Sequence, residues 1–263
     1  MLVDGKTIAK EILNEVAHQV ALLPVAPRLA VITCAPNFET QKYLEMKRQK
    51  ASSVGVVLNV VELPSNAETN DVIDSVQSLC READGIIVQL PLPKQIDREK
   101  VLDAIPVGKD PDGFKYSNNE EACLSPVVGA IDLISQKHSI DWLDKKVVVL
   151  GQGVLVGLPA TTYAKKKGGD VIVMVEEDFD RSMLRTADII ISGVGKPQLI
   201  SKEDVKEGVI IFDGGTSEDG GILVGDVDTN VASIASLFTP VPGGIGPITI
   251  AYLFRNLVQL VRQ

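Results

Sequence analysis

The sequence is poor in the residues from which metal sites and disulfides are built. Its 263 residues contain only three cysteines (Cys34, Cys80 and Cys123) and two histidines (His18 and His138). The cysteines lie far apart and none has CxxC spacing, so we expect no metal site and no disulfide framework. An odd number of unpaired thiols suits a reducing compartment, and the sequence therefore predicts a cytoplasmic location.

Positive charge and long apolar runs are also scarce. Asp and Glu together number 35 against 26 Lys and Arg, which gives a formal net charge of −9. An acidic chain is a poor partner for nucleic acid or for an anionic membrane, and we expect neither as a partner. No apolar run approaches the roughly 20 residues that cross a bilayer, and residues 1–6 do not have the pattern of a signal peptide.

Aromatic residues make up 4% of the chain, whereas hydrophobic residues make up 45%. The core must therefore be aliphatic, as it is in α/β folds. The length fits one large domain or two smaller ones. Strand-like apolar runs alternate with helical periodicity, which predicts parallel sheets built from βα units. The predicted strands cover residues 28–34, 56–63, 85–89, 146–150, 170–175, 188–192 and 209–213, and predicted helices include residues 7–22, 39–53, 68–81, 98–104 and 127–137.

The most unusual composition is found near the C-terminus, in TPVPGGIGP at residues 239–247, where three prolines and three glycines fall within nine residues. Proline fixes φ and removes a donor, while glycine opens positive φ, so this stretch must form a rigid, irregular loop. An apolar-periodic helix follows, with Pro247 near its first turn. A loop of this kind can simply join a strand to a helix, but close approach of the backbone to a ligand would need the same residues.

Polar residues at three places in the first half of the chain are candidates for a binding site. Tyr43 and Lys47 are four residues apart on one face of the predicted helix 39–53, a spacing that alone is typical of a solvated face. Gln89 ends an apolar strand, and ligands of open parallel sheets bind at carboxyl ends of strands, although a turn or cap role is also open. Asp112 belongs to KDPDGF at residues 109–114, where D-P-D-G by default indicates a turn.

In the second half, a continuous β-branched strand at residues 146–150 leads into a glycine-rich turn and then a helix. In dinucleotide-binding folds such glycines let the backbone approach a pyrophosphate at the helix N-terminus. The spacing departs from strict G-x-G-x-x-G, so the turn alone is weak evidence, but later predicted strands also end in glycine. The predicted cofactor-binding residues are Gly151, Gln152, Gly153, Leu155, Val156, Gly157, Glu176, Glu177, Gly193, Gly195 and Thr216.

Four separated motifs together resemble a single enzyme family. Thr40, Tyr43 and Lys47 match a Ser/Thr followed by Tyr-x-x-x-Lys on one helix. VQLPLP at residues 88–93, KDPDGF at 109–114 and TPVPGGIGP at 239–247 match the other three. In this order they resemble the bifunctional methylenetetrahydrofolate dehydrogenase/cyclohydrolase family, and the resemblance spans the whole chain.

The resemblance implies two reactions on tetrahydrofolate derivatives. One is oxidation of 5,10-methylenetetrahydrofolate to 5,10-methenyltetrahydrofolate with a nicotinamide cofactor, and the other is hydrolysis of that product to 10-formyltetrahydrofolate. It implies Lys47 as the catalytic lysine, tuned by Tyr43 and Gln89, and Asp112 as the partner of the pterin's donor edge. The folate-binding residues that it implies are Tyr43, Lys47, Val88, Gln89, Leu90, Asp112, Pro242, Gly243, Gly244, Ile245 and Gly246.

The implied fold is α/β, with an N-terminal βα catalytic domain, a Rossmann-like parallel-sheet domain for the dinucleotide and a C-terminal helix that returns to the first domain. We place the folate-binding catalytic domain at residues 1–123 plus 240–263 and the dinucleotide-binding domain at residues 124–239. The family also implies a homodimer.

The sequence departs most from the family in the cofactor turn, which is usually G-R-S-x-I-V-G-x-P. Gln152 occupies the arginine position and Gly153 the serine position. After the next predicted strand come Glu176, Glu177 and Asp178, where NAD-binding Rossmann domains place a carboxylate on the ribose hydroxyls. These acids could instead cap a helix beginning near residue 180, and both roles are compatible if Glu176 faces the ribose and Asp178 caps.

These replacements predict NAD rather than NADP as the preferred cofactor. Losing a charged hydrogen bond to the 2′-phosphate costs about 1.5–3 kcal/mol. A nearby carboxylate adds repulsion of about 1–4 kcal/mol, depending on exposure. Together these effects correspond to a preference of about a hundredfold or more. A second departure is LSPVVG at residues 124–129, where the family has P-C-T-P-x-G.

Three functions are compatible with the sequence. The first is the bifunctional enzyme with NAD, and the second is a cyclohydrolase whose degraded dinucleotide site no longer transfers hydride. The third is a binding module without catalysis, against which the presence of Tyr43, Lys47, Gln89 and Asp112 argues.

Overall fold

The computed structural model of the protein describes residues 1–220 and 222–262. Its helices are α1 (Gly5–Ala21), α2 (Phe38–Val54), α3 (Thr69–Leu79), α4 (Arg98–Asp103), α5 (Pro126–Lys137), α6 (Gly157–Lys166), α7 (Arg181–Thr186) and α8 (Ile245–Val261). Its strands are β1 (Arg28–Cys34), β2 (Val57–Leu63), β3 (Gly85–Val88), β4 (Lys146–Leu150), β5 (Asp170–Met174), β6 (Ile189–Ser192), β7 (Ile210–Asp213), β8 (Ser217–Asp219), β9 (Ile222–Val224) and β10 (Leu237–Thr239).

The chain divides into two compact units. The three-stranded unit contains Lys10–Pro126 and the chain from Ile250 onward, whereas the five-stranded unit contains Met1–Ala9 and Val127–Thr249. The C-terminal part of α8 thus belongs with the N-terminal sheet, which confirms the predicted return of the last helix. The contact-based limits differ from the predicted domain limits at both ends of the chain, because α1 and α8 each have residues in both units. The functional domain limits stay a prediction.

The three-stranded unit is built on a parallel sheet in the order β2-β1-β3. The central strand β1 is buried from Leu29 to Cys34, and all four residues of β3 are buried. An apolar run without alternation is expected for a parallel strand that is covered on both faces. Since all three strands run the same way, their carboxyl ends meet at one edge, and Gln89 follows β3 at that edge.

The five-stranded unit has a parallel sheet in the order β10-β7-β6-β4-β5. Strand β5 lies on one side of β4, and β6, β7 and β10 lie on the other. The order in which successive strands are added to the sheet therefore reverses between β4 and β6. Open parallel sheets bind their ligands outside the carboxyl ends of the strands at such a switch point. The core of this unit is mainly aliphatic, with Val148, Leu150, Ile190, Ile200 and Ile211 among its buried members.

The structure confirms the predicted α/β fold with two parallel sheets and a Rossmann-like second half. The predicted limits of β1 and β4 agree with the structure, and most other limits differ by one or two residues. Strand β10 and the antiparallel hairpin of β8 and β9 were not predicted. Each of these strands has three residues, too few for a periodic pattern to be recognised.

Candidate active site

In the three-stranded unit, helix α2 positions Lys47 inside the protein. Asn37 caps the helix, its side chain accepting a hydrogen bond from the backbone N–H of Thr40 at 2.8 Å. The lysine is 8% exposed, whereas Tyr43, one turn earlier, is partly exposed. An ammonium group is seldom buried to this extent without a polar partner. The solvated face that the spacing alone indicates therefore does not apply to Lys47.

Gln89 supplies the polar partner of Lys47. Its Oε1 accepts a hydrogen bond from Lys47 Nζ at 2.7 Å. The amide is fixed from both sides, because its Nε2 donates to the carbonyl of Leu90 at 3.1 Å and the Gln89 backbone N–H donates to the carbonyl of Ile32 in β1 at 2.8 Å. Two residues that are 42 positions apart in the sequence thus meet as a bonded pair at the carboxyl end of β3.

Asp112 is the charged neighbour of this pair, and its turn is tied to the rest of the unit. Lys109 Nζ donates to the carbonyl of Ala83 at 2.6 Å. Asn256 of α8, which is 2% exposed, donates to the carbonyls of Pro111 at 2.9 Å and Leu124 at 2.8 Å. The D-P-D-G segment is therefore a turn, as its composition indicates, and it also holds a carboxyl group near Lys47.

Burial shifts the pKa values of Lys47, Asp112 and Asp110, the three ionisable groups of this cluster. It lowers the pKa of Lys47, and the charge of Asp112 offsets part of that effect. Burial raises the pKa of Asp112, and the Lys47 ammonium acts in the opposite direction. Burial, together with the nearby Asp112 charge, raises the pKa of Asp110 to about 7. A lysine whose pKa lies below its usual value can exchange protons more readily near neutral pH, which suits general acid–base chemistry.

In the five-stranded unit, two positions of the glycine-rich turn between β4 and α6 require glycine. Gly151 has a φ of 91°, in the left-handed region that favours glycine. A Cβ on Gly157 would lie 2.0 Å from the carbonyl oxygen of Gly151. Helix α6 begins at this point, and the residue before it, Val156, has no side-chain acceptor to cap it. No side chain caps the helix, although the Leu158 backbone N–H donates to the carbonyl of Gly153 at 3.0 Å, and the positive end of the helix dipole attracts anions.

The loops after β6 and β7 lie beside this turn. A Cβ on Gly193 would come within 2.4 Å of the Val156 side chain. A Cβ on Gly195 would lie 3.8 Å from the carbonyl oxygen of Thr216, which follows β7. Gln152, Gly153 and Leu155 are exposed in the turn itself. The predicted cofactor residues after β4, β6 and β7 are thus gathered at the switch point of the sheet.

The acidic residues after β5 form a short 3-10 turn, Glu176–Asp178. Glu176 is paired with the ammonium group of Lys196, which follows β6. The predicted cap role of Asp178 is wrong: helix α7 begins at Arg181, and Asp180 caps it by accepting a hydrogen bond from the Ser182 backbone N–H at 2.8 Å. The cap residue directly precedes the first helical residue, and Asp178 lies too early in the chain.

The proline- and glycine-rich loop leads into α8 and is held within the five-stranded unit. The Gly5 backbone N–H donates to the carbonyl of Gly243 at 2.9 Å, and that of Gly244 donates to the carbonyl of Pro240 at 2.6 Å. Helix α8 begins at Ile245, so Pro247 lies in its first turn, as predicted. The predicted folate contacts of Pro242, Gly243, Gly244, Ile245 and Gly246 stay a prediction.

Comparison with known sequences decides the family. The sequence model of the tetrahydrofolate dehydrogenase/cyclohydrolase catalytic domain matches residues 3–112, and that of the tetrahydrofolate dehydrogenase/cyclohydrolase NAD(P)-binding domain matches residues 125–263. The chain belongs to the tetrahydrofolate dehydrogenase/cyclohydrolase family. The resemblance of the four motifs is thereby confirmed, and the family consists of enzymes.

Individual members of the family match over almost their whole length. The bifunctional protein FolD of Staphylococcus aureus is 36% identical over 271 residues, which cover 97% of this chain and 94% of the relative. The crystal structure of the bifunctional enzyme FolD, a methylenetetrahydrofolate dehydrogenase/cyclohydrolase from Campylobacter jejuni, has a TM-score of 0.93 and 33% identity, covering 100% of this chain and 98% of that chain. The Trypanosoma brucei enzyme complexed with NADP and an inhibitor has a TM-score of 0.92 and 31% identity, covering 100% and 97%.

The residues of the five-stranded unit fit the nicotinamide dinucleotide that the family binds. The start of α6, which no side chain caps, provides positive potential for a pyrophosphate. A Cβ on Gly153 would meet no atom within 4 Å, so this side of the turn is open. Carboxylates after β5 are suited to the hydroxyl groups of a ribose.

Sequence reasoning missed several residues that shape these sites. Asn256, Lys196 and the Asp213 and Asp226 carboxylates were not predicted as site residues. A buried Asn in the apolar helix α8 and the acidic GDVD motif at residues 225–228 are signals that could have indicated two of them. The partner of Lys196 could not be recognised, because it depends on the pairing of β4 with both β5 and β6.

Two further observations bear on ligands and membranes. Among residues 1–220 and 222–262, no group of three or more His, Cys, Asp and Glu side chains is arranged to hold a metal ion. Across the same residues, no helix combines the length and the apolar content needed to cross a membrane.

Proposed function

We propose that this protein oxidises 5,10-methylenetetrahydrofolate to 5,10-methenyltetrahydrofolate with NAD in preference to NADP and hydrolyses the product to 10-formyltetrahydrofolate. The proposal rests on the partly buried hydrogen bond of 2.7 Å between Lys47 Nζ and Gln89 Oε1, beside the carboxyl group of Asp112. The family of the chain gives this cluster its substrate, because its relatives are named as methylenetetrahydrofolate dehydrogenases and cyclohydrolases.

Hydrolysis needs a group that manages the proton of the attacking water. Lys47 is that group in our proposal, since burial lowers its pKa and Gln89 fixes the direction of its Nζ. As a free amine it accepts a proton from the water that adds to the methenyl carbon. As an ammonium it stabilises charge that develops when the ring opens. General acid–base catalysis of this kind contributes about 10²- to 10⁴-fold in rate.

Substrate orientation falls to the residues around Lys47. Asp112 is assigned to the pterin's donor edge, because a carboxylate accepts hydrogen bonds from adjacent ring N–H and amino groups. Tyr43 is partly exposed one turn from Lys47, where its ring can lie against the folate. Val88 and Leu90 flank Gln89 in the chain, and the assignment of the loop 242–246 to folate rests on the family resemblance.

Oxidation is mainly a positioning task for the protein. The bound nicotinamide supplies the hydride acceptor. The turn from Gly151 to Gly157 would hold the pyrophosphate near the start of α6, and the loop containing Gly193 and Gly195 would line the cofactor site at the switch point of the sheet. Thr216, after β7, belongs to the same edge.

The preference for NAD rests on the residues that would face the 2′-position of the adenosine ribose. A structure of the T. brucei relative contains NADP, so any preference must arise from particular side chains rather than from the fold. Gln152 is uncharged, and Glu176, Glu177 and Asp178 place three carboxylates after β5 against the single ammonium of Lys196. The local charge is therefore negative, which disfavours a phosphate and suits a ribose diol.

A second candidate is a cyclohydrolase that has lost hydride transfer. The observation that favours it is the exposed turn in which Gln152 and Gly153 replace the family's usual arginine and serine. The two candidates are separated by incubating the protein with 5,10-methylenetetrahydrofolate and either dinucleotide while following the methenyl absorbance. Hydrolysis of 5,10-methenyltetrahydrofolate without a dinucleotide is measured in parallel. We expect both reactions, whereas hydrolysis alone would select the second candidate.

Two further assignments depend on the family or the composition. We propose a homodimer, as in the family, to be tested by light scattering at micromolar concentration, where a monomer mass would count against it. We also propose a cytoplasmic location, which suits the free thiols of Cys34, Cys80 and Cys123.

A further inference from the structure

The ion pair between Glu176 and Lys196 joins two strand ends of the proposed cofactor site. We propose that Lys196 is a specificity-determining residue. Its ammonium group pairs with both Glu176 and the 2′-phosphate of NADP, and this weakens the discrimination against NADP. This inference rests on the proposed function, since it needs a dinucleotide at the switch point of the five-stranded sheet. It adds a residue that neither the motifs nor the family match assigns.

Lys196 is held in place by a buried carboxylate. Asp226 is fully buried, and its Oδ1 accepts a hydrogen bond from the Lys196 backbone N–H at 2.8 Å. Its Oδ2 accepts from the hydroxyl of Ser192 at 2.6 Å and from the backbone N–H of Val194 at 2.9 Å. One carboxylate thus fixes the end of β6 and the loop up to Lys196, so the position of the lysine is part of the fold.

Asp226 is itself anchored by a second buried carboxylate. Asp213 Oδ1 accepts from the Asp226 backbone N–H at 3.2 Å, and its Oδ2 accepts from that of Val227 at 3.0 Å. Asp213 ends β7, the neighbour of β6 in the sheet. The lysine loop is therefore connected through hydrogen bonds to the ends of two adjacent strands.

The side chains of the pair, in contrast, are accessible. The Lys196 side chain is 45% exposed and that of Glu176 is 75% exposed. Ion pairs in such surroundings contribute little to stability, because water solvates both charges well. Lys196 can therefore leave Glu176 for a stronger anion at small cost, and a phosphate carrying nearly two charges is such an anion.

The three lysines at the end of α6 are less well placed than Lys196. Lys165, Lys166 and Lys167 end helix α6 and precede β5, so they lie at the amino edge of that strand. Glu176 follows the carboxyl end of β5, and the five residues of the strand separate the two edges by roughly 16 Å. Arg181, which follows the acidic turn, is tied to Asp204, so Lys196 is the cation to which the 2′-phosphate discrimination is assigned.

The test is a double-mutant cycle on cofactor affinity, measured by calorimetry with NAD and NADP and without folate. The variants are Glu176→Gln, Lys196→Met and the double variant, with Lys165→Met as a charge-matched control at the opposite edge of the strand. We expect Lys196→Met to weaken NADP binding at least fivefold while changing NAD binding less than twofold. We expect Glu176→Gln to strengthen NADP binding in both backgrounds, because a carboxylate is removed, but roughly tenfold more when Lys196 is present, because only then is the lysine also released from its ion pair.

Three outcomes would overturn the proposal. Lys196→Met could alter the affinities for both cofactors equally, Glu176→Gln could help NADP equally in both backgrounds, or Lys165→Met could reproduce the effect of Lys196→Met. A wild type that binds NAD but shows no coupling contradicts this inference alone. A wild type that binds neither cofactor contradicts both this inference and the dehydrogenase half of the proposed function.

Discussion

The two candidate sites differ in how the protein treats its charged groups. In the three-stranded unit, Lys47 is 8% exposed, its Nζ is bound to Gln89, and the nearby Asp112 carries a raised pKa. In the five-stranded unit, Glu176 and Lys196 are paired in solvent, and the buried carboxylates Asp213 and Asp226 hold backbone instead of facing a ligand. In the proposed function, the first site tunes reactivity through desolvation, whereas the second positions a ligand through backbone and surface charge.

This difference explains which parts of the family pattern are retained. A buried lysine can be replaced only together with its partners, because removing one member leaves an uncompensated polar group. An exposed turn tolerates the exchange of arginine for Gln152, since the fold does not depend on that side chain. On the proposed function, the reaction chemistry depends on the three-stranded unit and the choice of cofactor on exposed residues of the five-stranded unit.

The largest loss of activity should come from Lys47→Ala, which should impair the site in the three-stranded unit and leave the site in the five-stranded unit intact. We expect hydrolysis of 5,10-methenyltetrahydrofolate to fall by about 10²- to 10⁴-fold, because the general acid–base group is removed. The affinity for NAD should change little, since the cofactor residues belong to the other unit. Lys50→Ala, an exposed position on the same helix, is the control and should keep full activity. Undiminished hydrolysis in a folded Lys47→Ala variant would refute the assignment.

The converse variant is Gly157→Ala in the cofactor turn. The added Cβ would meet the Gly151 carbonyl oxygen at 2.0 Å and its carbon at 2.6 Å, and both are backbone atoms that cannot move aside cheaply. We expect NAD affinity to fall more than tenfold while hydrolysis without dinucleotide is retained. Gly108→Ala, where a Cβ meets no atom within 4 Å, is the matched control. A loss of both activities, with the fold intact, would show that the two sites are not separable.

A smaller effect concerns the stability of the Lys47 cluster as a function of pH. Burial raises the pKa of Asp110 to about 7, above its unfolded value of about 3.9. Between these values the folded protein keeps a proton that the unfolded chain has lost, so the free energy of unfolding falls as pH rises. Asp110→Asn cannot ionise, so its stability relative to the wild type should be greater at pH 8 than at pH 5, by on the order of 2 kcal/mol.

Thermal unfolding midpoints of wild type and Asp110→Asn at pH 5 and pH 8 measure this effect. Asp103→Asn, an exposed carboxyl group nearby, should keep the wild-type dependence on pH. Asp213 in the five-stranded unit, whose pKa burial also raises to about 7, leaves part of the dependence in every variant. An Asp110→Asn variant with the full wild-type dependence would contradict the assigned burial effect.

Much of the fold could be predicted because its signals are local. The strands β1 and β4 are unbroken apolar runs, and the limits of both were predicted correctly. The motifs containing Lys47, Gln89 and Asp112 indicated a common site, and the structure joins Lys47 to Gln89 across 42 positions of the chain.

The parts that could not be predicted depend on contacts distant in sequence. Strand β10 has three residues and is stabilised by pairing with β7. The cap of α7 at Asp180 rather than Asp178 depends on where the 3-10 turn ends. The pairing of Lys196 with Glu176 depends on the order of strands in the sheet, which alternation of helices and strands does not specify.

We propose that this protein has kept the reaction of its family while its cofactor site has been adapted to NAD. The most direct measurement is kcat/KM for the oxidation of 5,10-methylenetetrahydrofolate by the wild-type protein, with NAD and NADP side by side. We expect a value about a hundredfold higher with NAD. Equal or better use of NADP would contradict it.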